Sequence, residues 1–190
     1  MHSPVRDILR QHGGMTALGS PSLEPDPAHP GLRFRRPDER DHARVVGVIP
    51  EWWALPGTAN LGLLLPRLFL QHFADTSTVV EDGDGDLAAF LIGFRSASQP
   101  GVAYIHFVGV RPDLRATGLA RTLYERFFAA MRASGCHRVG AITGPGNAAS
   151  QRFHRAMGFE PTGDTEIESV LAWRDYDGPG EHRVVFTRPL

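Results

Sequence analysis

The sequence predicts a mixed α/β fold of three layers, with helices flanking one sheet. Three apolar segments separated by short polar turns, residues 76–81, 87–94 and 103–110, are typical of an antiparallel meander. A long amphipathic helix then leads to another apolar segment, residues 138–143, and a connection of that length normally joins parallel strands. The sheet is therefore expected to change from antiparallel to parallel at the strand of residues 103–110.

The composition indicates one globular domain behind a tail. The chain has 190 residues, 42% hydrophobic and 22% charged, which is enough for one core. Residues 1–31 are rich in proline, so we expect a flexible tail before a domain of residues 32–190. The net charge of −1 gives no indication that the protein binds nucleic acid or a membrane surface. The single cysteine, Cys136, suits a reducing cytoplasm, and the first residues lack the order of a secretion signal.

The segment before the meander is expected to contain a strand and two helices. Residues 32–36 alternate as a half-buried strand, a helix follows and ends at Pro50, and a second helix is expected over residues 60–73. Trp52 and Trp53 lie between these helices. The two rings can cover the core or form the wall of an acceptor pocket, and both interpretations stay open.

The last part of the chain is expected to hold a helix and two strands. The helix covers residues 147–157, and the strands cover residues 166–173 and 182–186. A polar loop that contains Tyr176 separates the two strands, and loops of this kind often border sites.

The turn before the long helix has the residues of an anion site. Gly118 and Ala120 are small, so a ligand can approach the backbone, and a helix that begins here offers free N–H groups at its positive end. A pyrophosphate is the expected ligand. A short loop with a helix-starting threonine and a solvated arginine explains the same residues equally well, so the segment alone does not decide.

Two segments resemble the signature motifs of the GNAT N-acetyltransferase superfamily. Arg115, Gly118 and Ala120 occupy the three positions of its acetyl-CoA motif, Arg/Gln-x-x-Gly-x-Gly/Ala. The second family motif follows at the expected distance, over residues 147–159 with the sequence NAASQRFHRAMGF. The resemblance covers the chain after the tail by order of elements. It implies a GNAT-like fold in which the two central parallel strands splay apart.

The resemblance also implies acetyl-CoA as co-substrate and an amine as acceptor. The pantetheine arm would bond to the unpaired backbone of Val108 and Val110, with Asn147 and Phe153 on its other side. Asn147 is equally suited to cap its helix. The pyrophosphate would be held by Arg115, Ala116, Thr117, Gly118, Leu119 and Ala120. The acceptor would be bound by Trp52, Trp53 and Tyr176.

Direct attack of an amine on a thioester needs a base, a polarised carbonyl and a proton for the thiolate. The family's usual proton donor is a tyrosine seven residues after the motif asparagine, and here His154 occupies that position. His154 is thus a candidate acid or a non-catalytic wall residue. His106 alternates with Val108 and Val110, which predicts a shared orientation; it is a candidate base or a buried histidine with satisfied hydrogen bonds. Glu51 is a second candidate base.

Other functions are less well supported by the sequence. The nine histidines show no ligand spacing, so no metal is expected, and no Gly-x-Gly-x-x-Gly follows the first strand as a dinucleotide fold requires. One rival stays open. An acyl-CoA-binding sensor with little or no turnover would keep the cofactor motif while lacking the motif tyrosine. A homodimer also stays open.

Overall fold

The computed structural model describes residues 20–53 and 61–190. These residues form a seven-stranded sheet and a separate two-stranded sheet, with α-helices on both faces of the larger one. The strands are β1 (Arg33–Arg35), β2 (Thr78–Glu81), β3 (Leu87–Arg95), β4 (Val102–Val110), β5 (Arg138–Thr143), β6 (Glu160–Thr162), β7 (Thr165–Ile167), β8 (Val170–Ala172) and β9 (Val184–Pro189). The helices are α1 (Asp41–Trp52), α2 (Leu68–His72), α3 (Leu119–Ala133) and α4 (Ala148–Ala156).

The large sheet has the strand order β1-β2-β3-β4-β5-β9-β6. Strands β1 to β4 are antiparallel neighbours, β4 and β5 are parallel, and β9 runs antiparallel between β5 and β6. The helix α3 makes the connection between the two parallel strands, as its length predicted. The predicted fold class is confirmed.

Each face of the sheet has its own apolar cluster. Leu123, Phe127 and Met131 of α3 are buried against one face, because residues four apart lie on one side of a helix. The other face is covered by α1 and α2, where Trp52 stacks on Phe90 with ring centroids 5.9 Å apart. The sheet is therefore the middle of three layers.

Two buried carboxylates tie the first strand to α1 and β2. Asp41 accepts two hydrogen bonds from Arg35, each 2.7 Å long. Glu81 accepts from Arg33 at 2.5 Å and from Arg35 and Arg44 at 2.6 Å each. The guanidinium of Arg35, more than any other group, holds the pKa of Glu81 well below its usual range. A buried carboxylate is tolerated here because its charge is paired.

The two helices before the meander differ from the prediction. The first does not end at Pro50 but continues to Trp52, since a proline in the last turn removes only one helical hydrogen bond. The second is short, and its expected range over residues 60–73 holds a 3₁₀ turn at Leu61–Leu64 and then α2. Pro66 lies at that break. Residue 60 itself lies outside the described residues.

The C-terminal strands also differ from the prediction. The strand expected over residues 166–173 is a hairpin of β7 and β8, which reverses at Glu168 and Ser169. Both residues have positive φ, at 52° and 62°, without a glycine to signal the turn. Strand β6 was not predicted, and the last strand is Val184–Pro189 rather than residues 182–186.

The described part of the expected tail lies against α3. Arg126 donates to the carbonyls of Ser22 and Glu24 at 2.9 and 2.7 Å and pairs with Asp26 at 3.1 Å. His29 is buried, and its Nε2 lies 3.2 Å from the Thr122 hydroxyl. Residues 20–31 contain no helix or strand, but several bonds hold them on the domain. Residues 1–19 lie outside the described residues.

Candidate active site

Strands β4 and β5 separate shortly after they begin. They pair in parallel at three positions, and the last pair joins Tyr104 to Gly140. Beyond that pair β4 continues to Val110 and β5 to Thr143 without pairing to each other. The facing edges therefore offer free N–H and C=O groups to an extended ligand.

A β-bulge in β4 lies where the two strands separate. Ile92 of β3 pairs with Phe107, and the adjacent Gly93 pairs with Ile105. His106 is thus an extra residue on β4, and a residue of this kind shifts the alternation of the side chains that follow. The bulge therefore changes the direction of the strand at the foot of the gap.

The bulge contradicts one prediction. Val108 and Val110 pack with the apolar cluster under α3, whereas the His106 ring stacks on Phe69 of α2, with centroids 4.1 Å apart. The expected shared orientation is therefore wrong. The Nε2 atom of His106 lies 2.6 Å from the carbonyl oxygen of Leu64, which can only accept, so Nε2 carries the proton. Burial lowers the pKa of His106 below its usual 6.5.

The N-terminus of α3 presents free donors at the mouth of the gap. Ala116 and Gly118 have positive φ, at 63° and 91°, and the helix begins directly after Gly118. Within the described part of the chain, the backbone N–H groups of residues 116–121 have no acceptor. The side chain of Leu119 is buried in the core, so only its backbone can meet a ligand. The arrangement suits an anion.

The Arg115 side chain has a different partner from the expected pyrophosphate. Its guanidinium donates to the carbonyl of Trp52 and, at 3.3 Å, to that of Val110. These bonds join the turn to the end of α1. The backbone N–H groups of residues 116–121 have no such partner among the described residues.

The first turn of α4 follows β5 at the same mouth. The Asn147 side chain caps the helix by accepting the N–H of Ser150 at 3.0 Å, which confirms its capping role. His154 is 6% exposed, and its ring stacks on Phe186 with centroids 4.9 Å apart. Its Nδ1 lies 2.8 Å from the Ser150 carbonyl, and its Nε2 lies 3.3 Å from the Tyr124 hydroxyl. Burial lowers the pKa of His154.

The two tryptophans differ in their surroundings. Trp52 is 3% exposed and belongs to the core. Trp53 is half-buried and packs on Phe107, with ring centroids 5.5 Å apart, beside the bulge of β4. Glu51, one residue earlier, is exposed at the end of α1. The two interpretations of the pair thus divide between the rings: Trp52 covers the core, and Trp53 lies near the gap.

An open pocket of ≈ 390 Å³ lies at the foot of the gap. The Tyr104 ring lies over Gly140, at the last pair of β4 and β5, and packs on Phe94 with centroids 5.5 Å apart. Tyr176, which is 50% exposed, and Arg138 complete the rim. The guanidinium of Arg138 is exposed and, among the residues that the structure describes, has no hydrogen-bond or ion-pair partner, whereas its backbone N–H donates to the Gly101 carbonyl. We call this pocket the foot pocket.

The described residues contain neither a metal-binding cluster nor a membrane-spanning helix. Within residues 20–53 and 61–190, no three His, Cys, Asp or Glu side chains lie close enough to hold a metal ion. In the same ranges, no helix is both long and apolar enough to cross a bilayer.

The sequence was compared with models of known families. Residues 46–159, more than half of the chain, match the model of the Acetyltransferase (GNAT) family. The chain belongs to the GNAT acetyltransferase family. The predicted family is therefore confirmed, and so is the predicted function of an acetyl-CoA-dependent N-acetyltransferase.

Two curated relatives illustrate the similarity. The L-2,4-diaminobutyric acid acetyltransferase of Streptomyces coelicolor is 27% identical over 161 residues, which cover 84% of this chain and 93% of that protein. The L-methionine sulfoximine/L-methionine sulfone acetyltransferase of Pseudomonas aeruginosa is 43% identical over 58 residues, which cover 30% of this chain and 34% of that protein.

Solved structures show the same fold. A GNAT-family protein from Desulfovibrio desulfuricans superposes with a TM-score of 0.65 at 20% identity, covering 83% of this chain and 98% of that one. Diaminobutyrate acetyltransferase EctA from Paenibacillus lautus, in complex with L-2,4-diaminobutyric acid and coenzyme A, has a TM-score of 0.58 at 24% identity, covering 82% of this chain and 93% of that one.

Three residues of the candidate site were not predicted from the sequence. Tyr104 and Arg138 were not assigned to the site, because the foot pocket joins strands that are distant in sequence. Ser150 was not assigned either, although it precedes His154 by four residues, a spacing that places two side chains together on a helix.

Proposed function

We propose that this GNAT enzyme transfers the acetyl group of acetyl-CoA to the amine of a small amino acid. The observation that carries the proposal is Arg138, a guanidinium without a partner in the described residues, on the rim of the foot pocket. A guanidinium without a carboxylate of its own is suited to the carboxylate of a ligand. The pocket lies beside the gap, so an amino acid held there would direct its amine toward the acetyl group.

The residues at the gap fit acetyl-CoA, which supplies an activated acetyl thioester. The edge of β4 at Val108 and the N–H of Val110 would bond to the pantetheine arm as a paired strand does, since Arg115 already donates to the Val110 carbonyl. The side-chain N–H₂ of Asn147 is left for the same arm, because its oxygen caps α4. Phe153, which would lie on the same side of the arm, packs on the Tyr124 ring with centroids 5.0 Å apart. The donors of residues 116–121 would take the pyrophosphate.

His106 is the proposed base. Its Nε2–H is donated to the Leu64 carbonyl, so Nδ1 keeps a lone pair that can accept a proton from the amine. The lowered pKa keeps the ring neutral near pH 7, which is the form that a base requires. Its side chain lies on the face of the sheet that carries α2 and the foot pocket. Glu51 is a second candidate, through its exposed position at the end of α1.

Trp53 and Tyr176 would form the walls of the acceptor site. Trp53 lies next to the bulge, and Tyr176 borders the foot pocket. The printed names of two relatives, which act on L-2,4-diaminobutyric acid and on L-methionine sulfoximine or sulfone, support an amino acid as acceptor. A cytoplasmic location is part of the proposal, supported by the free thiol of Cys136. A homodimer stays a prediction.

The test is thiol release from acetyl-CoA over a panel of free amino acids, simple amines and peptide N-termini, with product masses recorded. We expect acetylation of one or more amino acids. Arg138→Gln should raise the KM for the amino acid by about tenfold or more, since a charge-assisted hydrogen bond contributes about 1.5–3 kcal/mol. Arg95→Gln is the matched control, because Arg95 is also an exposed arginine at the end of a strand but lies outside the foot pocket.

Two results would contradict the proposal. Acetylation of peptide N-termini alone would exclude the amino-acid acceptor while leaving the acetyltransferase. Binding of acetyl-CoA without thiol release on any acceptor would favour the sensor.

A further inference from the structure

Three polar side chains connect the first turn of α4 to the interior of the protein. The Ser150 hydroxyl lies 3.2 Å from Nδ1 of His154, and the Tyr124 hydroxyl lies 3.3 Å from Nε2 of the same ring. Tyr124 is buried in the core, His154 is almost fully buried, and Ser150 is half-buried. This chain of hydrogen bonds therefore runs from the core to the surface that borders the gap.

The positions of the protons in this hydrogen-bond network follow from the groups on either side of the His154 ring. The Tyr124 hydroxyl is buried and has no other acceptor in the described residues, so it donates to Nε2 of His154. The Ser150 carbonyl can only accept, so Nδ1 of His154, 2.8 Å away, carries the ring proton. Both arguments give the same neutral tautomer. The Nδ1–H group is then shared between the carbonyl and the hydroxyl of Ser150.

Because the Ser150 hydroxyl oxygen accepts from His154, its own proton is free to be donated elsewhere. The N–H of Ser150 is taken by Asn147, so the hydroxyl is the donor that Ser150 itself keeps free. The network lies beside the part of β5 that no longer pairs with β4, because the His154 ring stacks on Phe186, which is the partner of Ala141 in β5. Under the proposed function, the reacting end of the pantetheine arm lies in this part of the gap.

We propose that Ser150 donates a hydrogen bond to the sulfur of the departing coenzyme and that His154 positions it. Ser150 would thus be a catalytic residue, and His154 a positioning residue at the place of the family's tyrosine. The amine nitrogen forms a bond to the acetyl carbon, and the carbon–sulfur bond breaks with its electron pair going to sulfur. The amine gives one proton to its base, and the sulfur takes one from solvent. Ser150 stays protonated throughout.

The inference rests on the proposed function, so its first test reads the network without turnover. The ¹⁵N chemical shifts of the neutral His154 ring, assigned by comparison with His154→Phe, should show a protonated Nδ1 and an unprotonated Nε2. A protonated Nε2 would overturn the inference, whatever the enzyme's activity. It would also leave the proposed function standing if acetyl transfer is observed.

The second test separates the hydroxyl from the helix that carries it. Ser150→Ala should lower kcat about 100-fold, at the low end of what one hydrogen-bond donor to a developing negative charge contributes, with the KM for acetyl-CoA unchanged. Ser150→Thr, which keeps a hydroxyl, should restore most of the loss. Ser134→Ala removes a hydroxyl at the far end of α3 and should leave kcat unchanged. A Ser150→Ala enzyme as active as the wild type would overturn the inference.

His154→Phe tests the positioning role. The variant keeps an aromatic ring against Phe186 but loses both nitrogens, so it should lower kcat about as much as Ser150→Ala. The double variant should be no slower than either single one, since both remove the same hydrogen bond to sulfur. Independent, multiplying losses would overturn the link between the two residues.

Discussion

The two ends of α3 allow a matched test of the anion site. Gly118, directly before the helix, and Gly135, two residues after its last residue, have φ values of 91° and 83°, and a Cβ built on either meets no atom within 4 Å. An L-residue in this left-handed region costs about 1–2 kcal/mol. Gly118→Ala and Gly135→Ala should therefore lower stability alike, by roughly 2–8 °C in melting temperature for a chain of this size.

Only one of the two substitutions should affect the cofactor. The added methyl group at Gly118 enters the space in front of the free donors of residues 116–121, whereas Gly135 lies at the opposite end of the helix. Calorimetric titration of acetyl-CoA should show Kd raised about tenfold or more in Gly118→Ala, a loss of ~1.4 kcal/mol, and unchanged in Gly135→Ala. Equal affinities of the two variants would refute the placement of the pyrophosphate at this turn.

Further predictions concern stability and the base. Glu81→Gln should lower the unfolding free energy by about 3 kcal/mol in urea titrations, because it breaks a buried ion-pair network, whereas Asp75→Asn, at an exposed pair, should leave it nearly unchanged. Since Arg35 lowers the pKa of Glu81, the stability that this carboxylate contributes is present above the unfolded pKa of about 4.3 and is lost as the pH falls. Glu81→Gln should therefore reduce the loss of unfolding free energy at acid pH. An unchanged loss would assign the acid sensitivity to other groups. The kcat/KM of the wild type should show a limb that rises with pH through the lowered pKa of His106, and His106→Gln should remove this limb; a limb kept by the variant would exclude His106 as the base.

The sequence predicted those elements whose signals are local. The buried face of α3, which contains Leu123 and Phe127, could be predicted from the four-residue spacing of its apolar residues. The turn before α3 could be predicted from a single short motif. The meander could be predicted because its strands are neighbours in the chain. The parallel pair followed from the length of its connection.

Features that depend on pairing between elements could not be predicted. The bulge at His106 exists only in the register between β3 and β4, and a single strand does not reveal it. The foot pocket joins Tyr104, Arg138 and Tyr176 from three distant segments. The hairpin of β7 and β8 turns at two non-glycine residues, Glu168 and Ser169, so its turn gave no compositional signal.

The histidine at the motif position illustrates what a motif leaves open. The motif placed His154 where a tyrosine is usual, but its burial depends on Phe186, Tyr124 and the packing of α4. The polar partner four residues earlier could have been recognised from spacing alone. Its role as a hydrogen-bond donor could be inferred only from the tautomer of His154. That tautomer is set by Tyr124 on α3 and by the Ser150 carbonyl on α4.

Hydrogen–deuterium exchange with and without acetyl-CoA tests most directly whether the cofactor lies in the gap between β4 and β5. The account predicts slower exchange in residues 105–121 and at the first turn of α4 when acetyl-CoA is added, with residues 33–44 unchanged. Protection confined to other parts of the sheet, or no protection in an enzyme that releases thiol from acetyl-CoA, would contradict the account.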